Sequence, residues 1–295
     1  MDWDKLKTFH AVAQAGSFTL AAKRLNLSQS ALSRQIKKLE DNLSLSLFTR
    51  HARGLVLTQE GEQLYSTAEE VYKKIERTFQ ELLDTKTKPF GKLKITTTHA
   101  FGSYWLAQNV KEFVETYPDI ELDLRLSDQT LDLSKGEADI AIRFQTPTQA
   151  DLIARKLITV HHHIYASPIY LQEHGVPETI EDLRHHTLIG FGSGRAQPIK
   201  EIDWLFEVGR PHFKANIEIS SLFGILGAIQ SGIGIASIPD YLATSTPELV
   251  RILGGVPSPS LKSYFVYPSE MKRSKRVAVF KDYIVKKLLD AANSF

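Results

Sequence analysis

The chain has 295 residues, 42% hydrophobic and 24% charged, the balance of a folded globular chain of about two domains rather than a disordered, collagen-like or membrane-embedded one. It contains no cysteine, which excludes disulfides, thiolate metal sites, iron–sulfur clusters, thiol redox sensing and a cysteine nucleophile. Its net charge of +2 is unevenly placed: residues 1–58 carry nine Lys/Arg against four Asp/Glu, and the remainder 27 against 30. That asymmetry points to a small polyanion-binding module on a larger body, with a cluster of solvated lysines as the alternative.

The opening Met1-Asp2-Trp3-Asp4 is acidic and lacks the basic region of a signal peptide. The stretch Leu222 to Ile229 falls far short of the ~20 apolar residues of a membrane helix. A cytoplasmic chain with no membrane partner is expected.

Leu6, Phe9, Val12 and Ala13 form one face of a short helix starting near Asp4 and ended by Gly16-Ser17. A second helix follows from Phe18, with Leu20, Ala21, Ala22 and Leu25 available for packing. After the turn Asn26-Leu27-Ser28, Ser28 has the character of an N-cap for a third helix reaching about Leu43. Ala31, Leu32, Ile36, Leu39 and Leu43 give it a buried stripe. Gln29, Ser30, Ser33, Arg34, Lys37 and Lys38 lie on its other faces. Two short helices joined by a tight turn make a helix-turn-helix, and Gln, Ser and Arg are the side chains that read base edges in the major groove. The competing reading is a helical hairpin with a polar outer face. Leu45, Leu47 and Phe48, a basic turn holding Arg50 and Arg53, and Leu55 to Thr58 then predict a β-hairpin wing. Its arginines can reach phosphates or a minor groove, or else are solvated loop residues.

Phe9-x-Ala11-Val12-Ala13-x-Ala15-Gly16-Ser17-Phe18, with Ala21-Ala22-x-x-Leu25, resembles the N-terminus of LysR-type transcriptional regulators. So do Leu27-Ser28-Gln29-Ser30-Ala31-Leu32-Ser33-Arg34-Gln35-Ile36-x-x-Leu39-Glu40, Leu47-Phe48-x-Arg50 and Leu57-Thr58-x-x-Gly61. The resemblance implies a winged helix-turn-helix over 1–58, its reading motif near 18–37. Ser28, Gln29, Ser30, Ser33, Arg34, Lys37, Arg50 and Arg53 are the expected DNA contacts.

From Thr58 to about Lys86 no proline interrupts. Leu64, Ala68, Val71, Ile75, Phe79 and Leu82 recur at steps of three and four, a coiled-coil-like stripe. The alternatives are a dimerisation helix and a helix packed on its own effector domain. Dimerisation is preferred because such modules read operators in pairs about one DNA turn, ~34 Å, apart, and the family resemblance implies dimers or tetramers. The linker and hinge span 59–90.

Beyond Leu93 alternating strands and helices predict an α/β domain with a largely parallel sheet, whose ligands lie at the carboxyl ends of its strands. A helix is expected over Tyr104–Tyr117 and a shorter one over Leu131–Lys135. Thr97, Thr98 and Ser103 fall at one strand end and suit an anion, or else simple capping. Ile95-Thr96-Thr97-Thr98, Tyr117-Pro118-Asp119-Ile120-Glu121-Leu122 and Gly136-Glu137-Ala138-Asp139-Ile140-Ala141-Ile142-Arg143 resemble the LysR substrate-binding domain. Ala166-Ser167-Pro168-x-Tyr170-Leu171 and Gly232-Ile233-Gly234-Ile235-Ala236-x-Ile238-Pro239 do so too. The resemblance implies a two-lobed, periplasmic-binding-protein-like effector domain over 91–295. Lobe I is expected over 91–162 and 267–295, and lobe II over 163–266. Matching positions place Thr98, Ser127, Arg143, Ser167, Phe191, Ser221 and Pro239 around the cleft. Arg143 can pair an anionic effector bidentately or serve a structural ion pair.

His161-His162-His163 offers no third ligand, so no metal site or cofactor is expected. Gly192-Ser193-Gly194-Arg195 lacks the end of a P-loop, and no G-x-S-x-G elbow occurs. An enzyme with an accessory DNA module and an architectural DNA binder with a vestigial cleft are the alternative functions. The expected partners are promoter DNA, a small-molecule effector, further copies of the chain and RNA polymerase.

Overall fold

A computed structural model of the protein describes residues 2–51, 54–83, 88–147, 149, 151–192, 199–208, 213–244, 246 and 248–291. It divides into two units, Met1–Leu82 and Leu83–Phe295.

In the first unit α1 (Trp3–Ala15) begins where the Asp2 carboxylate accepts the Asp4 N–H, and ends at Gly16 in the left-handed region. Ser17 caps α2 (Phe18–Leu25), and Ser28 caps α3 (Gln29–Leu43). The wing is an antiparallel hairpin of β1 (Phe48–His51) and β2 (Gly54–Leu57). Thr58 Oγ1 accepts the Gly61 N–H at 3.0 Å and starts α4 (Gln59–Leu83). Phe9, Val12, Ala21, Leu32, Ile36, Leu39, Leu47 and Ala68 form one core. Leu20 and Leu43, expected to pack, are 54% and 42% exposed. Each lies at the edge of its helix stripe, where three small helices cannot cover a face wider than the ~100° arc turned to the core.

The second unit opens with β3 (Gly91–Thr97). The helix expected from Tyr104 instead begins at His99 and is interrupted. It runs through α5 (His99–Phe101), a π-helical segment (Gly102–Leu106) and α6 (Ala107–Asn109), then resumes after Val110 as α7 (Lys111–Thr116). Gly102 presses this run onto the sheet: a Cβ there would stand 2.2 Å from the Leu126 side chain. Next come β4 (Ile120–Leu126) and β5 (Ile140–Arg143). The helix expected at Leu131–Lys135 is a turn, because Asp132 Oδ1 takes the N–H groups of Ser134 and Lys135 and Gly136 turns left-handed.

The chain continues through β6 (Leu152–Ala166), α8 (Pro168–His174), β7 (Ile189–Gly190), α9 (Trp204–Val208), β8 (Ile217–Glu218) and α10 (Leu222–Gln230). It closes with β9 (Ala236–Pro239), α11 (Asp240–Thr244), β10 (Val250–Ile252), β11 (Ser260–Pro268) and α12 (Lys275–Asp290).

The main sheet has the order β10-β6-β11-β5-β3-β4, with β9 also on β6. It is mixed, which corrects the expectation of a largely parallel sheet. β3 is parallel to β4 and β5, but β11 lies antiparallel to both β5 and β6. The reason is the 15-residue β6, which pairs with β11 up to His161 and with β9 and β10 from His162 onward. One strand thus changes partners near His162, the position expected for the crossing between lobes. The return lies near Pro259, not Tyr267, since β11 pairs along its length with β5 and the first half of β6. Ser263 exchanges hydrogen bonds with both backbone groups of Ile158 and closes the β11 bulge.

Candidate functional site

The first candidate surface is α3. Ser28 Oγ accepts the Ala31 N–H at 3.2 Å, so the helix starts at a defined residue. Leu32, Ile36 and Leu39 are buried, which fixes its rotation. Gln29, Ser30, Arg34 and Lys37 are therefore exposed together, with Ser33 half-buried beside them. Arg34 Nε leans back to the Ser30 carbonyl at 3.4 Å, leaving the outer edge of its guanidinium for a base or phosphate. Two anchors escaped the sequence reading. Gln35 accepts from the Thr8 hydroxyl and ties α3 to α1, while Glu40 Oε1 accepts the Leu47 and Phe48 N–H groups and ties α3 to the wing. Glu40 belongs to the motif quoted above, but a carboxylate there reads as solvated until the wing is seen folding back on it. The side chain of Arg50, and Arg53 as a whole, lie outside the described residues.

The predicted stripe on α4 divides. Ala68 is buried in the core of the first unit, a correction to its reading as a dimer contact, and Leu64 packs half-buried against that core. The cause is the path of α4 across α1, where His10 lies between the rings of Tyr65 and Tyr72 at centroid distances of 5.5 and 5.0 Å and bonds Glu69. Beyond that crossing Val71 is 38% exposed, Ile75 half-buried and Phe79 61% exposed. The side chain of Leu82 lies outside the described residues.

The second candidate is a chamber of about 140 Å³ at the carboxyl ends of β3, β4 and β5. Thr98 and Asp128 stand after β3 and β4, Arg143 ends β5, and Leu131, Leu133 and Val266 supply apolar wall. Arg143 donates from Nη1 to the Ser127 carbonyl at 2.8 Å, and from Nη2 to the Thr96 hydroxyl at 2.9 Å and the Gln129 carbonyl at 3.1 Å. Its Nε is buried with no partner among the described residues. Burial lowers its pKa to about 10 against the opposing pull of Asp128. Of the two readings of Arg143, the ion pair inside the protein is thus replaced by bonds to neutral oxygens.

Several other expected cleft residues have local structural contacts. Ser103 sits in the π-helical segment rather than in a loop, and Ser167 and Ser221 cap α8 and α10. Ser127 Oγ closes a local turn with Gln129, and Phe191 is core, its N–H held by Asp203 at 2.7 Å. The buried Thr97 hydroxyl has no partner among the described residues.

A small void of about 10 Å³ adjoins the chamber, sharing Thr98, Asp128 and Phe144 with it and adding His162, Pro239 and Tyr241. His162 is fully buried, and neither ring nitrogen has a partner among the described residues. Burial first, and the neighbouring His163 and His161 second, push its imidazole down to about 3. Because the folded value lies below the ordinary 6.5, the unfolded chain takes up this proton first. The stability is fully present above pH ~6.5 and is lost as pH falls from there toward ~3, at up to about 1.4 kcal/mol per pH unit. His162→Leu should therefore flatten the acid side of the stability curve by about 2 kcal/mol between pH 7 and 5. Denaturant melts at the two pH values check this, and parallel losses in both proteins would refute a neutral buried imidazole.

Comparison with known proteins bears on both surfaces. A family model described as a bacterial regulatory helix-turn-helix protein, lysR family, matches residues 3–62, and one described as a LysR substrate binding domain matches residues 86–289. The chain is 31% identical to the HTH-type transcriptional regulator CrgA of Neisseria meningitidis serogroup C over 97% of this chain and 96% of that protein. The solved structure of CrgA from Neisseria meningitidis, a LysR-type transcriptional regulator, matches at TM-score 0.61 and 29% identity, covering 98% of this chain and 99% of that one. The full-length Vibrio cholerae virulence activator AphB matches at TM-score 0.61 and 27% identity over 97% and 99% of the two chains.

Proposed function

The chain belongs to the LysR family of transcriptional regulators, DNA-binding proteins with an effector-binding domain, and from that premise we propose how its residues divide the work. Gln29, Ser30, Ser33 and Arg34 read base edges in a major groove, while Ser28, Lys37, Arg50 and Arg53 hold phosphates. The observation that supports this is α3 itself: Leu32, Ile36 and Leu39 are buried, while Gln29, Ser30, Arg34 and Lys37 are exposed together. The backbone N–H groups at its start add a favourable end for phosphate.

Two copies joined along the exposed end of α4 set two reading helices about one DNA turn apart, ~34 Å. Val71, Ile75 and Phe79 are the contact residues, since three apolar side chains on one helix face gain most by covering one another. Phe79→Asp should convert the assembly to smaller species and weaken operator binding by an order of magnitude or more, because paired half-sites lose their ~mM effective concentration. Sedimentation velocity checks it; an unchanged profile counts against this face.

An effector seated in the chamber bounded by Thr98, Asp128 and Arg143, at the strand ends of the first lobe, shifts the balance between two arrangements of the assembly, and RNA polymerase is the partner that senses the change at the promoter. Fluorescence anisotropy with the DNA upstream of its own reading frame, against a scrambled duplex, tests the DNA reading. The native duplex should be preferred at every ionic strength while both affinities fall with salt. Equal affinity for the two would end the proposal.

A further inference from the structure

The chamber at the ends of β3, β4 and β5 has two unlike halves. Leu131, Leu133, Ala141, Leu152 and Val266 line one of them. At about 140 Å³ the whole space is close to the ~150 Å³ that admits a benzene-sized body. The other half holds one fixed cation and one fixed anion. The guanidinium of Arg143 is bonded to two carbonyls and a hydroxyl, with Nε left over. No carboxylate among the described residues lies in salt-bridge range of it. Asp128 uses Oδ1 to accept the His99 N–H at 3.0 Å, and Oδ2 faces no donor among the described residues. Thr98 precedes the helical run but does not spend its hydroxyl on a cap.

These charges decide between ligand classes. A simple carboxylic acid brings its charge to Arg143 but also against Asp128. A simple amine satisfies Asp128 and opposes Arg143. Either one pairs with one fixed charge of the chamber and is set against the other. A molecule with both charges a few atoms apart, and a short apolar body, meets every group at once.

We propose that the effector is a zwitterion, an α-amino acid with a compact apolar side chain, its ammonium on Asp128, its carboxylate toward Arg143 and the Thr98 hydroxyl, and its side chain against Leu131, Leu133 and Val266. This rests on the effector reading of the chamber given above. It goes further by fixing the ligand's charge state and size.

Isothermal titration of the full chain with L-valine, L-leucine, L-isoleucine, L-methionine and L-phenylalanine tests it, each run beside its deaminated acid and its decarboxylated amine. At least one amino acid should bind saturably, with its acid and amine at least ~10-fold weaker, because a site built around a polar group rejects analogues that leave it unpaired. Asp128→Asn, nearly isosteric, should bring the amino acid and its acid to within ~3-fold of one another. An acid or amine that binds as tightly as its parent overturns the zwitterion and leaves the chamber as the effector site. Heat from none of the compounds overturns the ligand class. Amino-acid binding untouched by both Asp128→Asn and Thr98→Val places the site elsewhere and ends the chamber reading itself.

Discussion

Gly61→Ala should abolish DNA binding while leaving the effector domain folded. Gly61 lies in the first turn of α4, directly under the wing. A Cβ there would stand 2.1 Å from the Leu47 carbonyl oxygen and 3.1 Å from the Leu57 side chain. The obstacle is backbone, and that carbonyl already accepts the Thr58 N–H at 3.0 Å. It cannot swing away without losing the bond that joins wing to linker. Overpacking of this kind costs about 1–3 kcal/mol and occasionally more, a large share of what a module this small can hold. The check is a thermal melt followed by circular dichroism, together with anisotropy on the upstream duplex. An alanine variant that melts and binds as the parent does would show that the start of α4 yields easily.

Arg34→Ala should cost about 1–3 kcal/mol in operator binding and relax the preference for one base, if its guanidinium pairs a guanine edge. Lys37→Ala gives the contrast. One turn further along α3, it should weaken native and scrambled duplexes alike and lower the salt slope by about one ion. The two variants are read in one experiment, affinity against ionic strength on both duplexes. Uniform weakening by Arg34→Ala would reassign it to a phosphate.

In the first unit some helix starts and stops were legible because they are local. Ser28 caps α3 where a hydroxyl precedes an apolar period, and Gly16 ends α1 where a left-handed residue is needed. The wing was legible from two short apolar runs about a basic turn. Less legible was anything set by a distant partner. Leu64 and Ala68 carry the same period as Phe79, and only the passage of α4 over His10 puts the first two in or against a core and leaves the third outside. Ser167 and Ser221 were placed in the cleft by matching positions, yet their hydroxyls are spent on N–H groups three residues on. Asp128 carried no local signal, and His162 only that of a histidine triplet without a further ligand. Each gains its meaning from neighbours brought up by other strands, Arg143 on β5 for the one, Thr98 and Tyr241 across a void for the other.

By itself the sequence determined the family, the order of the elements in the first unit, the Ser28 cap and the polar face of α3, since each of these is carried by short local runs of residues. The tertiary structure alone decided that the effector sheet is mixed. A single 15-residue strand, β6, serves both lobes, and that forces β11 to return antiparallel beside it. It alone decided which half of α4 is free, and it alone placed one cation and one anion on the same small chamber. Those outcomes follow from long-range packing, and neither periodicity nor spacing along a chain carries that information.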